Sequence, residues 1–291
     1  MTIRHLKIFI AVADAGKMSG AAEQLYVAQP TVSQAIAELE SWYNVRLFER
    51  LKRKLFITAE GEKLLSYARH IVRLFEEMES GMRQAGQAPV LAIGATVTVG
   101  TCFIGPIVER WQKLEMGRRA RVCVDNTANI ERKILRNELD VAVVEGAIES
   151  DDLAAQSVSK DEMVFIAPAG HPLSGKRLSL CELKDQPFIL REEGSGTREI
   201  FVRMMQERQL AFCEAWTCNN SEAIKNAVMQ GHGISLISKL LVERELKDGR
   251  MACLEVADVP PILRHFRLIH HKDKYLSPAL SSFIALCIQE K

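Results

Sequence analysis

The sequence predicts an α+β protein of several domains: a small helical domain completed by a hairpin, a long linker helix, and a two-lobed α/β domain. Three observations predict this layout. Residues 1–58 carry short amphipathic patterns, residues 59–87 form one helical pattern without proline, and residues 88–291 alternate apolar strands with helices. A chain of 291 residues is long enough for several cores.

The composition is that of an ordinary globular protein, with 47% hydrophobic and 26% charged residues. The formal net charge of +1 excludes a uniformly basic surface but permits a local basic patch. Arg4, His5 and Lys7 interrupt the first apolar stretch, and no cleavage site follows it, so no secretion signal is expected. No apolar run approaches the ~18 residues of a membrane span. The expected location is the cytoplasm, with no membrane partner.

The seven cysteines show neither a CxxC pair nor zinc-ligand spacing. Most lie in apolar or strand-like contexts, which favours reduced thiols. A redox pair between Cys213 and Cys218 is the alternative.

Residues 1–58 begin with three predicted helices. Apolar residues recur at three- and four-residue steps from Ile3, which predicts a first helix that ends at Gly16. The second helix is predicted in SGAAEQL, with Ser19 as its N-cap. The third lies in AQPTVSQAIAELE, with Pro30 in its first turn, where a missing N–H has little effect.

The third helix has an apolar face and a slim polar face. Its predicted buried stripe consists of Val32, Ile36, Leu39 and Tyr43. The residues that point away from the core are Thr31, Ser33, Gln34, Ala37 and Ser41. Such a helix fits a major groove about 12 Å wide, where Gln, Ser and Thr can bond base edges or phosphates.

A basic hairpin is predicted after the third helix. NVRLFERLKRKLFIT contains a single acid, Glu49, and returns along a strand at residues 55–57. Its cations are Arg46, Arg50, Lys52, Arg53 and Lys54. Cations beside a helix-turn-helix suit phosphates, which supply most of the affinity for DNA. A winged helix-turn-helix that binds double-stranded DNA is therefore predicted; the alternative is a structural three-helix module with a solvated basic loop.

Residues 59–87 are predicted to form a long linker and dimerisation helix. Apolar residues step along it by four and three, the heptad spacing that favours a partner helix. The candidate dimerisation residues are Leu64, Ala68, Ile71, Phe75, Met78 and Met82. A paired helix would space two winged domains along DNA. The alternative is that the stripe packs on the chain's own domains. A hinge is predicted at residues 86–89.

Residues 88–291 are predicted to form an α/β domain with a parallel sheet. VLAIGA, ARVCVDN and LDVAVVEG are predicted strands, and residues 102–114 and 130–137 are predicted helices. Crossings around residues 165–168 and 260–265 divide the domain into two lobes. Lobe 1 covers about 88–164 and 265–291, and lobe 2 about 165–264. The layout resembles a periplasmic binding protein, with a hinged cleft between its lobes.

Two clusters of Gly, Ser and Thr follow strands and open helices on either side of this cleft. Hydroxyl donors at helix N-termini favour a small anion such as a carboxylate, sulfate or phosphate. The alternative is that both clusters are turns capped by Ser and Thr. The residues are Thr96, Thr98, Gly100 and Thr101 in the first cluster, and Gly194, Ser195, Gly196 and Thr197 in the second.

Catalytic and metal motifs such as HExxH and GxSxG are absent from the sequence. His270 and His271 end a strand, where a satisfied or solvent-facing pair is favoured over a metal site. No catalytic residue, metal ligand or cofactor is predicted, and the protein is not expected to be an enzyme. An enzyme acting in the cleft and a solute-binding receptor remain the competing function classes.

The stretch FIAVADAGKMSGAAEQLYVAQPTVSQAIAELESWYNVRLFER, followed by ITAEGEKLL, resembles the DNA-binding region of LysR-type transcriptional regulators. The layout of the remaining chain agrees with the effector domain of that family. The resemblance implies a proline-bearing helix in the major groove, a wing along the DNA backbone and a dimerising long helix. The implied DNA-binding residues are Gln29, Pro30, Thr31, Ser33, Gln34, Arg50, Lys52 and Arg53.

The resemblance also implies a small effector, often anionic, bound between the lobes near Thr96, Thr98, Thr101, Ser195 and Thr197. REEGSGTREIF is similar to a segment of members that govern sulfur/cysteine or carbon-fixation genes. Family members often carry Ser where this chain has Ala28, so the third helix loses a cap of about 1 kcal/mol. The implied partners are double-stranded DNA, the anionic effector, further copies of the chain in a homodimer or homotetramer, and RNA polymerase.

Overall fold

The computed structural model describes residues 1–51, 54–83 and 90–289. The chain divides into two compact units, Met1–Gln87 and Ala88–Lys291. The predicted hinge at residues 86–89 lies outside the described residues. Within the described ranges, no helix is both long and apolar enough to cross a membrane.

The first unit is a winged helix-turn-helix followed by a long helix. Its elements are α1 (Ile3–Ala15), α2 (Met18–Leu25), α3 (Gln29–Tyr43), β1 (Phe48–Leu51), β2 (Lys54–Ile57) and α4 (Ala59–Arg83). α1 ends at Gly16 as predicted, where a φ of 62° is a left-handed conformation that glycine adopts without strain. β1 and β2 pair antiparallel and form the wing.

Two local predictions for this unit were wrong. Lys17 is the N-cap of α2, so Ser19 lies inside the helix instead of capping it. The buried face of α3 consists of Val32, Ala35, Ile36 and Leu39. Tyr43, in the last turn, is 41% exposed, and its hydroxyl donates to the sulfur of Met1.

The start of α4 is fixed against the wing. The Thr58 hydroxyl accepts a hydrogen bond from the Gly61 N–H at 3.0 Å and donates to the Arg46 carbonyl at 2.7 Å. A Cβ added at Gly61 would lie only 2.4 Å from the Leu47 carbonyl oxygen. The first turn of the long helix can therefore approach the wing this closely only with glycine at this position.

The second unit alternates strands and helices. Its strands are β3 (Val90–Thr96), β4 (Arg119–Asp125), β5 (Val141–Glu145), β6 (Leu153–Pro168), β7 (Arg177–Leu178), β8 (Pro187–Arg191), β9 (Cys213–Cys218), β10 (Ser235–Ser238), β11 (Met251–Val256) and β12 (Ile262–His271). Its helices are α5 (Val97–Cys102), α6 (Ile104–Lys113), α7 (Thr127–Leu135), α8 (Leu180–Leu183), α9 (Gly196–Glu207), α10 (Ser221–Met229), α11 (Glu243–Lys247) and α12 (Pro278–Gln289).

Two long strands join the lobes. The large sheet has the order β4-β3-β5-β12-β6-β11-β7, with β10 also paired to β6. β3 pairs parallel with β4 and β5, as predicted, whereas β12 runs antiparallel to β5 and β6. β6 changes partners at Met163, which pairs with Ile262 of β12 and with Ser238 of β10. This change lies slightly before the predicted crossing at residues 165–168.

Each lobe has apolar cores on both sides of its strands. In lobe 1, Leu91 and Ile93 pack with α6 and α12, while Ala92 packs with α7. The indole N–H of Trp111 donates to the Ala279 carbonyl and the Ser282 hydroxyl, both at 3.0 Å, which ties α6 to α12. In lobe 2, one core includes Phe188 and residues of α9, and the other contains residues of α10.

The helices around the predicted clusters begin earlier than expected. The helix predicted at residues 102–114 is two helices, α5 and α6, which meet at Phe103, where φ is −120° and ψ is −48°. The helix predicted at residues 130–137 is α7, which begins at Thr127 after the side-chain cap of Asn126. Capping by an asparagine before an apolar periodic segment explains the earlier start.

Candidate functional site

α3 presents the predicted polar residues on the side opposite its buried face. Gln29, Pro30 and Gln34 are exposed, and Thr31 and Ser33 are half-buried. Pro30 occupies the first turn, and Ala28 is the N-cap without a side-chain hydrogen bond. The first turns of α3 therefore offer two amides and two hydroxyls on one accessible surface, as a groove-reading helix requires.

A hydrogen-bonded network holds the Gln34 side chain. The Gln34 amide donates to Glu38 Oε1 at 2.9 Å, and His5 Nε2 lies 2.8 Å from Glu38 Oε2. The hydrogen bonds from His5 and then Gln34 lower the pKa of the Glu38 carboxyl. Glu38 is not among the residues predicted from the sequence, although its position one helical turn after Gln34 places it on the same face.

The wing is attached to α3 by a second acid. Glu40 Oε1 accepts from the backbone N–H groups of Leu47 and Phe48 at 2.8 and 3.3 Å. Of the predicted phosphate contacts, Arg50 is described as backbone only, and Lys52 and Arg53 lie outside the described residues. Their proposed contacts to DNA stay predictions.

α4 divides its apolar residues between two faces. Ala68 is fully buried in the core of its own unit, and Leu64 packs against that core. A second stripe, formed by Tyr67, Ile71, Leu74 and Met78, is 36–55% exposed. The assignment of Leu64 and Ala68 to a partner helix is thus corrected, because α1 already covers that side. Phe75 is half-buried, and the side chain of Met82 lies outside the described residues.

Arg264 connects the two lobes through side-chain hydrogen bonds. Its guanidinium donates to the Thr98 hydroxyl of lobe 1 at 3.1 Å and to the Thr197 hydroxyl of lobe 2 at 2.9 Å. Its Nε donates to Asp161 Oδ2 at 2.6 Å, and Asp161 also accepts from the Ser238 hydroxyl at 2.7 Å. Arg264 is 5% exposed, so this cluster is a buried, hydrogen-bonded network between the lobes.

Glu145, the last residue of β5, completes the cluster. Its carboxylate accepts from the Thr96 and Thr98 hydroxyls and lies 3.7 Å from Arg264 Nη1. Burial raises the pKa of the Glu145 carboxyl, while the guanidiniums of Arg264 and Arg191 act in the opposite direction.

The lobes also meet directly at the start of α9. A Cβ added at Gly196 would lie 2.6 Å from the Glu145 carbonyl oxygen, so glycine permits the contact. The Thr127 hydroxyl donates to the same carbonyl at 2.8 Å and accepts from the Gly196 N–H at 3.4 Å. The Ala128 N–H donates to the Gly194 carbonyl at 3.2 Å. The two lobes are therefore in direct contact at these residues.

The structure brings together only part of the predicted anion site. Thr96, Thr98 and Thr197 join the Arg264 cluster, and buried Ser195 is the N-cap of α9, with no hydrogen bond from its side chain to the helix. Thr101 and Gly100 lie apart from this network. The Thr101 hydroxyl donates to Val97 within its own helix, and Gly100 faces Val124 of β4.

Three charged residues of the cluster are not among those predicted from the sequence: Glu145, Asp161 and Arg264. One signal for Arg264 was available. Buried residues alternate with more exposed ones along β12, and Arg264 lies on the same buried face as Phe266 and Leu268. An arginine in an inward register indicates a buried partner.

The described residues contain no group of three His, Cys, Asp or Glu side chains that could hold a metal ion. His271 Nδ1 accepts from the Asp273 N–H at 3.2 Å, and His270 Nδ1 contacts the His271 carbonyl at 2.8 Å. Both imidazoles thus have local partners.

A DNA-reading winged domain joined to a two-lobed ligand-binding domain defines a ligand-responsive transcription regulator. Comparison with known families identifies which kind. Residues 3–62 match the model of the bacterial regulatory helix-turn-helix protein, lysR family, and residues 84–291 match the LysR substrate binding domain. The chain therefore belongs to the LysR family of DNA-binding transcription regulators, and its predicted fold class is confirmed.

Curated relatives agree with this assignment. The RuBisCO operon transcriptional regulator of Allochromatium vinosum is 30% identical, with 100% of this chain and 96% of that protein covered. CfxR of Cupriavidus necator is 32% identical, with coverages of 99% and 92%. YeiE of Escherichia coli, described as an uncharacterized regulator, is 31% identical, with coverages of 99% and 97%. These relatives are named as regulators, and this chain is a regulator, not an enzyme.

Solved structures show the same architecture. The regulatory domain of Synechocystis CcmR in complex with 2-PG matches 69% of this chain and 96% of that chain, at 27% identity and a TM-score of 0.64. Full-length CbnR complexed with its target DNA covers 100% of both chains at 20% identity and a TM-score of 0.62. At that identity, the second match supports the fold alone.

Proposed function

We propose that this regulator is controlled by a small anionic metabolite bound between the two lobes of its second unit. The observation that supports a ligand there is the position of Arg264, which donates to Thr98 in one lobe and to Thr197 in the other. A guanidinium and hydroxyls from both lobes are suitable donors for a carboxylate, sulfate or phosphate. The ligand acts as an effector, and no cofactor or metal is proposed.

Two further observations support the proposal. The Ser195 side chain is buried at the N-terminus of the twelve-residue helix α9 and makes no cap, so its hydroxyl can donate to a ligand. The CcmR regulatory domain, 27% identical, has been solved in complex with 2-PG. A small metabolite in the corresponding domain of this chain is consistent with that complex.

On the DNA side, we propose that Gln29, Pro30, Thr31, Ser33 and Gln34 face the major groove and that Arg50, Lys52 and Arg53 contact phosphates. We also propose that two copies pair through α4, as a homodimer or within a homotetramer, and that RNA polymerase is a partner. Effector binding would shift the population of lobe arrangements and thereby alter the bend or spacing of bound DNA.

The DNA-binding proposal is tested by fluorescence anisotropy with DNA from upstream of the protein's own gene and with unrelated DNA of equal length. The expected result is tighter binding to the upstream DNA, with the affinity for both falling linearly in log–log form as salt rises. Equal affinity for the two DNAs at every salt concentration would contradict sequence-specific binding.

The ligand proposal is tested by a thermal-shift screen of sulfate, 2-PG and small carboxylates. Uncharged amides of the same carboxylates and sodium chloride at equal ionic strength serve as controls. At least one anion should raise the unfolding temperature, since a ligand stabilises the state that binds it. Thr197→Val should reduce that shift, whereas Thr217→Val, an exposed position on β9, should not. Equal shifts with amides and anions would contradict an anionic ligand.

A further inference from the structure

The donors proposed for the ligand already bind a carboxyl group of the chain itself. Glu145 accepts from the hydroxyls of Thr96 and Thr98 and lies 3.7 Å from Arg264. An anionic ligand that binds to Thr98 and Arg264 must therefore place its charge beside Glu145. Two carboxylates or similar groups at such a distance cannot readily both be ionised away from water.

The bonded cluster has no surplus of positive charge to accommodate this anion. Arg264 is paired with Asp161 at 2.6 Å, and Arg191 is paired with Glu192 at 2.8 Å. Glu145 also faces the Arg264 guanidinium, but at the longer distance of 3.7 Å. With every group ionised, two guanidiniums face three carboxylates. A bound anion would add a second uncompensated negative charge in a site shielded from solvent.

Neutralisation of Glu145 removes this conflict. Burial raises the pKa of its carboxyl, Arg264 and Arg191 oppose that rise, and the charge of Asp161 adds to it. Cys102 of α5 is a further titratable group in electrostatic contact with Glu145, and burial raises the pKa of its thiol, so it stays neutral at neutral pH. Among these groups, Glu145 is the one whose protonation lets the cluster accept an anion.

Building on the proposed function, we propose that Glu145 couples ligand binding to proton uptake. One proton passes from solvent to a carboxyl oxygen of Glu145 when the anion binds. The Thr98 hydroxyl is then free to donate to the ligand instead of to a carboxylate, and the new carboxyl O–H can itself donate to the anion. Glu145 thereby sets both the affinity of the site and its dependence on pH.

The direction of the pH effect follows from the proton balance. The liganded protein holds one more proton than the free protein, so lower pH favours the complex. The affinity for an anion of constant charge is expected to rise as pH falls. Replacement of Glu145 by glutamine removes the charge. It keeps one of the two acceptor oxygens that Thr96 and Thr98 use and puts an amide N–H₂ group in place of the other. The variant should therefore bind tightly at every pH.

The experiment is isothermal titration calorimetry of the full-length chain with sodium sulfate, whose charge is constant near neutrality, and with 2-PG. Titrations at about pH 6 and about pH 8, in buffers of different ionisation enthalpy, give the affinity and the number of protons taken up. With one proton taken up per anion, wild-type protein should bind sulfate about a hundredfold more tightly at the lower pH, equivalent to about 2.7 kcal/mol. Glu145→Gln should bind about a hundredfold more tightly than wild type at the higher pH, without proton uptake.

Glu131→Gln is the matched control. Glu131 on α7 is also buried, and burial also raises the pKa of its carboxyl, but it accepts from the Glu149 N–H and lies outside the Arg264 cluster. This variant should keep the wild-type affinity and proton uptake.

Sulfate binding to wild type without proton uptake, at an affinity independent of pH, would overturn the role of Glu145 and leave the anionic effector standing. The wild-type proton count gives this answer even if a variant folds poorly. Absence of binding by both anions to wild type and to Glu145→Gln would overturn the inference together with the anionic effector.

Discussion

Arg264 shows at the level of single residues what sequence reasoning could and could not find. The hydroxyl clusters were predictable because Ser195 and Thr197 lie at a strand-to-helix turn, and adjacent residues in the sequence are enough to recognise such a turn. Arg264 and its partners are not local: Asp161 is 103 positions away and Thr98 is 166 positions away. Their pairing depends on the register between β6 and β12, which no local pattern specifies.

Gln34 carries the first residue-scale prediction. Gln34→Ala should reduce the preference for upstream over unrelated DNA by about tenfold to a hundredfold, because a well-placed amide contributes about 1–3 kcal/mol of base discrimination. The fold should be unaffected, since Gln34 is exposed and its amide donates to Glu38 on the same helix surface. Competition anisotropy with the two DNAs measures the ratio.

The matched control for this prediction is Gln206→Ala, an exposed glutamine on α9 in the other unit. It removes the same side chain from a helix surface and should leave the DNA preference unchanged. An unaltered preference in Gln34→Ala would refute the assignment of Gln34 to base reading.

At the scale of elements, the apolar periodicity of α4 indicates an amphipathic helix, as predicted. The apolar residues were predicted to form one surface, whereas the structure divides them between two. Steps of four and three fit a heptad seam and fit equally well a helix packed on its own domain. The choice between them depends on where α1 lies, and α1 covers Leu64 and Ala68. The exposed stripe, displaced by a few residues, is the surface left for a partner.

The exposed stripe of α4 is predicted to be needed for oligomerisation. The double variant Ile71→Asn/Leu74→Asn should lower the oligomer mass measured by light scattering after size-exclusion chromatography. Both side chains are exposed in the single chain, so the unfolding transition of the monomer should change little. Lys63→Asn, an exposed position of the same helix, should keep the wild-type mass. If both variants keep that mass, the stripe is not the dimer interface.

The junction of the wing and α4 carries a stability prediction. Gly61→Ala should destabilise the first unit by about 1–3 kcal/mol, because the added methyl group overlaps the Leu47 carbonyl. Urea unfolding followed by circular dichroism should therefore show a lower free energy of unfolding for Gly61→Ala than for wild type, and an unchanged free energy of unfolding would count against the close contact.

At the scale of the whole molecule, DNA reading and ligand binding belong to separate compact units. Ser195→Ala should therefore weaken the response to an anion without changing basal DNA affinity. A hydrogen bond to a charged ligand contributes about 1.5–3 kcal/mol to binding. Its loss should raise the anion concentration needed for the half-maximal thermal shift by about tenfold or more.

The control for the Ser195 prediction is Ser281→Ala, an exposed serine of α12. It should show the wild-type anion response in the thermal-shift titration and the wild-type DNA affinity in anisotropy. A Ser195→Ala protein whose anion response equals that of this control would remove Ser195 from the ligand site.

The paired strands β6 and β12 limit how a bound ligand can act on the molecule. Their ladder runs from Leu153–His271 to Met163–Ile262, with an irregularity between Phe266 and Arg267. A slip of one residue would turn every side chain to the opposite face, so the lobes cannot slide past each other along these strands. The two-stranded ribbon can still bend and twist. Any movement that ligand binding causes must therefore be a rotation of one lobe relative to the other and not a translation.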